Sequence, residues 1–339
     1  MLPLKPRALR LFRRSLLAWY DAHRRDLPWR RDADPYRIWV SEIMLQQTRV
    51  AAVLEHYARW MQRFPTVQDL AAAREQTVLA LWSGLGYYHR ARRLHQAAKV
   101  IARQRQGEFP RTAEAWRELP GIGRYTAAAI ASIAFAEPIA VVDGNVERVL
   151  GRLFGRTQGR ESAWQQAESL LDRARPGDFN QAMMELGATI CTPRAPKCLV
   201  CPVHDWCQSR GADAPIPQPA RQRKQLHYAL ARKGDSVLLV QRPADSARMA
   251  GMWELPEISP VKSGTEILAK FRHSITDTDY EVSVLPAPAA MLRSLHRNAR
   301  WFTRAQWKKL ALTGLARKVL RKLAGESPSP AKESNKHEK

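Results

Sequence analysis

The stretch from residue 119 to 147 constrains this chain most. It reads Leu119-Pro120-Gly121-Ile122-Gly123, then an alanine-rich run from Arg124 to Ala136, then Val141-Val142-Asp143-Gly144-Asn145. The first five residues are too few and too rich in glycine for a helix interior, whereas Ile130, Ile133 and Ala134 of the run are spaced for burial. A tight turn feeding a helix is expected. Gly121 and Gly123 permit positive φ and close approach of another backbone, and N–H groups at a helix start attract an anion such as phosphate. For the glycine spacing alone a ligand-free turn is the simpler account, because short glycine patterns recur by chance. Asp143 shifts the balance, since a carboxylate beside an apolar run needs a partner or a task.

With 339 residues the chain exceeds one ordinary core, so two domains are expected, and 45% hydrophobic residues suffice to build them. That content excludes a disordered chain. The 55 lysines and arginines against 32 acids leave a formal charge of +23, which suits attraction to polyanions, nucleic acid first. A membrane surface is the alternative, yet no stretch approaches the roughly 18 apolar residues of a spanning helix. The start of the chain, with Lys5, Arg7, Arg10, Arg13 and Arg14, has no apolar signal core. A cytoplasmic location is expected, nucleoid-associated in a bacterium and nuclear in a eukaryote.

All four cysteines, Cys191, Cys198, Cys201 and Cys207, fall within seventeen residues. They act together, and in a reducing compartment two disulfides are disfavoured. Four thiolates suit tetrahedral zinc or a [4Fe–4S] cluster. Spacing alone leans toward zinc, although only the middle interval is short.

Along the chain, residues 7 to 20 read as an amphipathic helix with Leu9, Phe12, Leu16, Leu17 and Tyr20 on one face. Between Ile38 and Met61, Val50, Val53, Leu54, Tyr57 and Met61 keep helical spacing, while Glu42, Gln46 and Gln47 are polar anomalies among apolar neighbours. Thr66 and Asp69 suit the start of a helix that ends at the second glycine-paired turn, Ser83-Gly84-Leu85-Gly86-Tyr87-Tyr88. Tyrosines before His89-Arg90-Ala91-Arg92-Arg93 mix π-faces with positive charge, a nucleic-acid combination; ordinary surface arginines at a helix end are the alternative. Ser162 to Gln165 forms a capping-box pattern, and Asn180 to Ile190 is a further helix. Beyond a proline-spaced, basic stretch the texture changes. Tyr228 to Arg232 and Val237 to Gln241 bracket Gly234-Asp235 as a hairpin, Tyr280 to Leu285 alternates as a strand, and helix returns near Thr303 to Leu323. The expected fold is multidomain: an all-α domain at 1–210, a linker at 211–225, an α+β domain at 226–325, and a disordered tail at 326–339.

The turn, Asp143 and the cysteine loop occur in the order seen in the endonuclease III superfamily. More closely, Leu27-Pro28-Trp29-Arg30, the run from Trp39 to Thr48, Gly84-Leu85-Gly86-Tyr87-Tyr88 and the run from Asn180 to Gly187 resemble adenine DNA glycosylases of the MutY type, from about residue 9 to 323. The resemblance implies a helix-hairpin-helix glycosylase domain with a [4Fe–4S] loop and a Nudix-like C-terminal domain. It implies removal of adenine mispaired with 8-oxoguanine or guanine in double-stranded DNA, by a monomeric, monofunctional enzyme that has no membrane partner.

The residue types fit such a reaction. Adenine leaves poorly, so a carboxyl held protonated must deliver a proton to it, and Glu42 among Ile38, Trp39, Ile43 and Leu45 has the apolar setting that raises a pKa. Positive charge on the opening sugar calls for an ionised carboxylate, as in retaining glycoside hydrolysis. By resemblance Asp143 takes that role, Asn145 orients it, and Tyr125 helps position the acid. Tyr125 stands where endonuclease III-like lyases carry a Schiff-base lysine, so strong strand cleavage is not expected. Gln47 and Tyr87 match residues that wedge into the base stack as adenosine is flipped out; Arg25, Trp29, Arg30 and Glu185 match the adenine pocket.

In the second domain Gly251, Glu257 and Glu266 fit the spacing of a Nudix box. Ala269 and Lys270 stand where metal-binding glutamates would, so metal-dependent hydrolysis is not expected. Ile275-Thr276-Asp277 replaces the family's Phe-Ser-His reader of 8-oxoguanine, with Thr276 still able to hydrogen-bond. An endonuclease III-like pyrimidine glycosylase and a non-catalytic DNA-binding protein are the competing readings, opposed respectively by Tyr125 and by the joint presence of Glu42 and Asp143.

Overall fold

The computed structural model describes residues 4–155, 159–211, 221–243, 245–246, 249–259, 266–275, 278–288 and 298–324. Most of the expected linker and all of the expected tail lie outside these residues. By contact the chain falls into two units, one of Met1–Thr48, Met61–Ala71 and Gln96–Pro217, the other of Arg49–Trp60, Ala72–His95 and Gln218–Lys339. The second unit thus draws in two helical segments from the stretch expected to be wholly N-terminal domain.

In the first unit, α1 (Pro6–His23) buries Phe12, Leu16, Leu17 and Tyr20, whose i, i+4, i+5, i+8 spacing sets them on one face. Burial of each stabilises the unit by ~1.5–3 kcal/mol. They pack on α11 (Pro176–Thr189), which also meets α8 (Arg124–Phe135) and α9 (Gly144–Phe154). Phe179, Ala182, Met183 and Leu186 of α11 share this core with Val146, Val149, Leu150 and Leu153 of α9. Two glycines let α11 approach so closely: a Cβ on Gly177 would lie 2.6 Å from the Ser132 carbonyl oxygen, and one on Gly187 2.7 Å from Asn145 Cβ.

The short helix α7 (Ala113–Arg117), the turn 118–123 and α8 form the expected helix-turn-helix. Leu119 and Ile122 are buried, which turns the backbone of Gly121 and Gly123 outward. Gly121 needs its φ of +80°. Gly123 does not, at φ −90° as the N-cap, but open space where its Cβ would be leaves room for another backbone.

Three local expectations change. The stretch from Ile38 to Met61 breaks into α2 (Pro35–Leu45) and α3 (Val50–Arg63), and Leu54 is exposed while Trp60 is buried. The helix expected from Thr66 divides into α4 (Val67–Ala72) and α5 (Glu75–Trp82), because Arg74 is extended and its carbonyl accepts the first bonds of α5. Ser162 is no cap: α10 (Arg160–Leu170) starts two residues earlier, after Gly159 at φ +90°.

In the second unit α3 and α5 meet through Trp60 and Trp82, edge to face at 5.6 Å; α6 (His89–Gln104) begins there too. β1 (Gln222–Leu230) starts inside the stretch expected as linker. It pairs in parallel with β6 (Thr278–Pro286), which pairs antiparallel with β5 (Ala269–Ile275). A second sheet joins β2 (Arg232–Lys233), β3 (Ser236–Gln241), β4 (Trp253–Glu254) and β7 (Ala299–Thr303). The turn Gly234-Asp235 connects β2 and β3, with Lys233 opposite Ser236, but of the expected first arm only Arg232 lies in this hairpin; Tyr228 to Leu230 belong to β1 and pair with β6 instead. The helix Gly314–Leu323 lays Leu315, Ala316, Val319 and Leu320 against Tyr228, Val282 and Val284. Ala269 and Lys270 are strand residues, Ala269 buried and Lys270 paired with Glu281 at 3.1 Å.

Candidate active site

Glu42 lies near the end of α2, 6% exposed among buried Ile38, Trp39 and Ile43. Its Oε2 accepts a 2.6 Å hydrogen bond from Tyr125 Oη at the start of α8. Burial pushes its pKa up to about 7; the Tyr125 bond and the Arg30 charge oppose that, and the charge of Asp143 adds to it. Burial and the Glu42 and Asp143 charges hold Tyr125 well above its ordinary value, so the phenol stays neutral and donates. Met184 Sδ lies 3.5 Å from the same hydroxyl.

Asp143 is the N-cap of α9 and accepts from the Asn145 and Val146 amides at 2.9 and 2.7 Å. Its other oxygen accepts from Asn145 Nδ2 at 3.0 Å. Three donors fix the carboxylate in orientation as well as place. Asn145 is held in turn by Arg148, whose Nη2 donates to Asn145 Oδ1 at 2.9 Å and to the Gly187 carbonyl at 2.7 Å, while its Nε donates to the Cys191 carbonyl at 2.9 Å. Arg148 was not singled out in the sequence, although its place three residues after Asn145 on a helix was a signal.

Beside this pair, Glu185 is 1% exposed and bound by Arg25 Nη2 at 2.8 Å and Arg30 Nη2 at 2.9 Å. Burial alone would raise its pKa, but the Arg25 bond and the Arg30 charge outweigh it and hold the carboxyl below its ordinary value. Arg30 lies over the Tyr20 ring at 5.8 Å, and its buried Nη1 has no partner among the described residues. Trp29 is buried. Gln46 reaches Thr126 at 3.1 Å, and Gln47, exposed just beyond α2, has a left-handed φ of +54°. Tyr87, in the second unit, is half-buried and also left-handed at φ +46°. Thr276 and Asp277 lie outside the described residues.

The four cysteine thiols are free and half-buried. Burial, joined by the charges of the other three, pushes Cys201 up to about 11, so the sulfurs feel one another. Yet among the described residues no three His, Cys, Asp or Glu side chains converge as a single bound ion requires. Four soft thiolate donors on one loop have the chemistry to hold an iron-sulfur cluster. Arg152, nearly buried, pins the loop by donating to Cys191 Sγ at 3.3 Å and to the Thr192 and Pro193 carbonyls at 2.7 and 3.2 Å.

Residues 40–173 match the HhH-GPD superfamily of base excision DNA repair proteins, and residues 191–207 match the iron-sulfur binding domain of endonuclease III. A human adenine DNA glycosylase is 36% identical over 413 aligned residues, covering 94% of this chain and 74% of that protein. The chain belongs to the adenine DNA glycosylase family. The mouse adenine DNA glycosylase is 38% identical, covering 91% of this chain and 77% of that one. A solved thermostable thymine-DNA glycosylase is 31% identical with a TM-score of 0.57, over 61% of this chain and 98% of its own. As a family member the chain is a DNA glycosylase of base excision repair, a hydrolase of N-glycosyl bonds with a [4Fe–4S] cofactor. The cluster supplies a staple closing the loop after α11. DNA is its substrate. Among the described residues no helix is long and apolar enough to cross a membrane.

Proposed function

We propose that this glycosylase removes adenine paired with 8-oxoguanine or guanine, acting as a monomer in the compartment that holds DNA. The observation that carries the reading is Glu42: a buried carboxyl with a pKa about 7, hydrogen-bonded to Tyr125 and facing the charge of Asp143. A group half-protonated near neutrality is suited to donate a proton to a leaving base. Asp143, fixed by its three donors, stabilises the sugar cation, with Asn145 orienting it. Tyr125 supplies no amine for a Schiff base, so the enzyme is monofunctional.

In this proposal the flipped adenine is read by Arg25, Trp29, Arg30 and Glu185, where the unpartnered Arg30 Nη1 is a ready donor. Gln47 and Tyr87 enter the stack, and Gly121 and Gly123 bring backbone amides to a phosphate. Cys191, Cys198, Cys201 and Cys207 ligate the cluster. Thr276 contacts the purine opposite adenine. The glycosylase chemistry belongs to the expected domain at 1–210 and contact with the opposite purine to the domain expected at 226–325, whose first strand extends back to Gln222 into the 211–225 linker.

Single-turnover assays on duplexes carrying adenine opposite 8-oxoguanine, adenine opposite guanine, thymine opposite guanine, and thymine glycol test the reading. Free adenine from the first two without strand cleavage is expected. Thymine or thymine glycol release, or strand cleavage keeping pace with excision, would overturn it.

A further inference from the structure

The turn that carries Tyr87 is held more firmly than an ordinary surface turn. Between α5 and α6 three residues are left-handed: Gly84 at φ +116°, Gly86 at +71° and Tyr87 at +46°. A side-chain-bearing residue in that region is strained and persists only where its surroundings over-determine it. The ends are anchored on one acceptor: Ser83 Oγ donates to the Leu312 carbonyl at 3.0 Å, and Tyr88 Oη, also buried, lies 3.1 Å from the same carbonyl. The middle is held from beneath. Trp82 Nε1 donates to the Gly86 carbonyl at 2.9 Å, and Arg90 Nη2 donates to the Leu85 carbonyl at 3.0 Å and to Gly86 at 3.3 Å.

Arg90 is only 5% exposed. Its guanidinium lies 5.1 Å from the centre of the Trp82 ring and 5.6 Å from that of Tyr87, within cation–π reach of both. Burial lowers its pKa to about 10, which leaves it charged at neutral pH. The rigid planar fork of a guanidinium fixes two carbonyl bonds and two ring contacts in one geometry, whereas a lysine ammonium is a point charge on a flexible stem and does not hold all four together.

We propose that Arg90 is a positioning residue for Tyr87, setting both the left-handed turn and the resting orientation of the ring, so that the tyrosine is poised for the base stack before DNA arrives. The proposal rests on the reading that Tyr87 enters the stack. Ordering the wedge in advance removes that cost from the flipping step, and a small displacement of a positioned group is enough to slow a reaction.

The test is a double-mutant cycle in the full chain with Arg90→Lys and Tyr87→Ala. It reads single-turnover excision at saturating enzyme and the fluorescence of 2-aminopurine in place of the target adenine. Arg90→Lys should slow excision about tenfold or more and weaken the flipping signal, with cluster absorbance retained. In the Tyr87→Ala background the same substitution should change the rate by less than about twofold, because residues acting through one another are not additive. Trp82→Phe, which removes one bond to Gly86 and keeps a ring, should give a smaller loss with the same dependence on Tyr87, and decides the matter if Arg90→Lys does not fold. Equal losses with and without Tyr87, or wild-type behaviour of Arg90→Lys, would overturn the proposal while leaving the reading of Tyr87 intact. Wild-type excision and flipping by Tyr87→Ala would overturn that reading and the proposal with it.

Discussion

The 2.6 Å hydrogen bond from Tyr125 to Glu42 opposes the burial around it. A neutral donor stabilises the ionised carboxylate and so draws the pKa of Glu42 down, while desolvation and Asp143 drive it up. Excision that needs protonated Glu42 should therefore hold level below about pH 7 and fall about tenfold per pH unit above it. Tyr125→Phe removes the stabilising donor and should move this basic limb to higher pH. Single-turnover rates from pH 5 to 9 for both proteins measure the shift; an unmoved or lowered limb would contradict the assignment of Glu42 as acid.

Glu42→Gln should abolish excision yet stabilise the fold at alkaline pH. The folded pKa of Glu42, about 7, lies above its ordinary 4.5. Between these values the native state binds more proton than the unfolded chain, so stability declines as pH rises through the window and the penalty is complete above about 7. The difference corresponds to roughly 3 kcal/mol. Denaturant unfolding should find Glu42→Gln more stable than the natural chain at pH 8 and little different at pH 4, with DNA affinity preserved in gel-shift titrations.

Gly187→Ala would set a methyl group 2.7 Å from Asn145 Cβ and 3.0 Å from its carbonyl oxygen. Backbone cannot move aside as a flexible side chain does, so α11 and the start of α9 must separate. The expected cost is ~1–3 kcal/mol of stability, with Asp143 shifted along with Asn145. Excision should drop by about tenfold or more while affinity for duplex DNA changes little. Thermal unfolding and single-turnover rates on one preparation measure both.

Arg152→Met should loosen the iron-sulfur loop. Its guanidinium satisfies the carbonyls of Thr192 and Pro193 and touches Cys191 Sγ. Removing it leaves those acceptors unpaired at a cost of about 1–3 kcal/mol. The visible absorbance of the cluster should decay at lower temperature or chelator concentration than in the natural protein, and iron analysis should show the loss.

Much of the helical framework was legible in order along the chain. The face of α1, the turn before α8 and the turn at Gly234-Asp235 follow from contacts between residues a few positions apart, which local spacing records, whereas the partner of Tyr228 to Leu230 is the distant β6. The break at Arg74 and the true start of α10 were not legible, because a cap's backbone angles depend on what the helix packs against. Glu42 and Asp143 stood out as carboxylates in apolar surroundings, and the cysteines as a cluster.

What only tertiary structure decided is how these groups act on one another. Tyr125 and Glu42 are 83 residues apart, and Arg25 and Glu185 are 160 apart. Residue types and short-range periodicity determined which elements form and which side chains are anomalous, since helix and turn formation sums interactions over one or two turns. The proton affinity of Glu42, the pairing of Glu185 with Arg25 and Arg30 and the bonds of Arg148 to the Gly187 and Cys191 carbonyls depend on desolvation and charge at distances of a few ångströms. Those distances exist only once α2, α8, α9 and α11 have packed, and no local pattern encodes them.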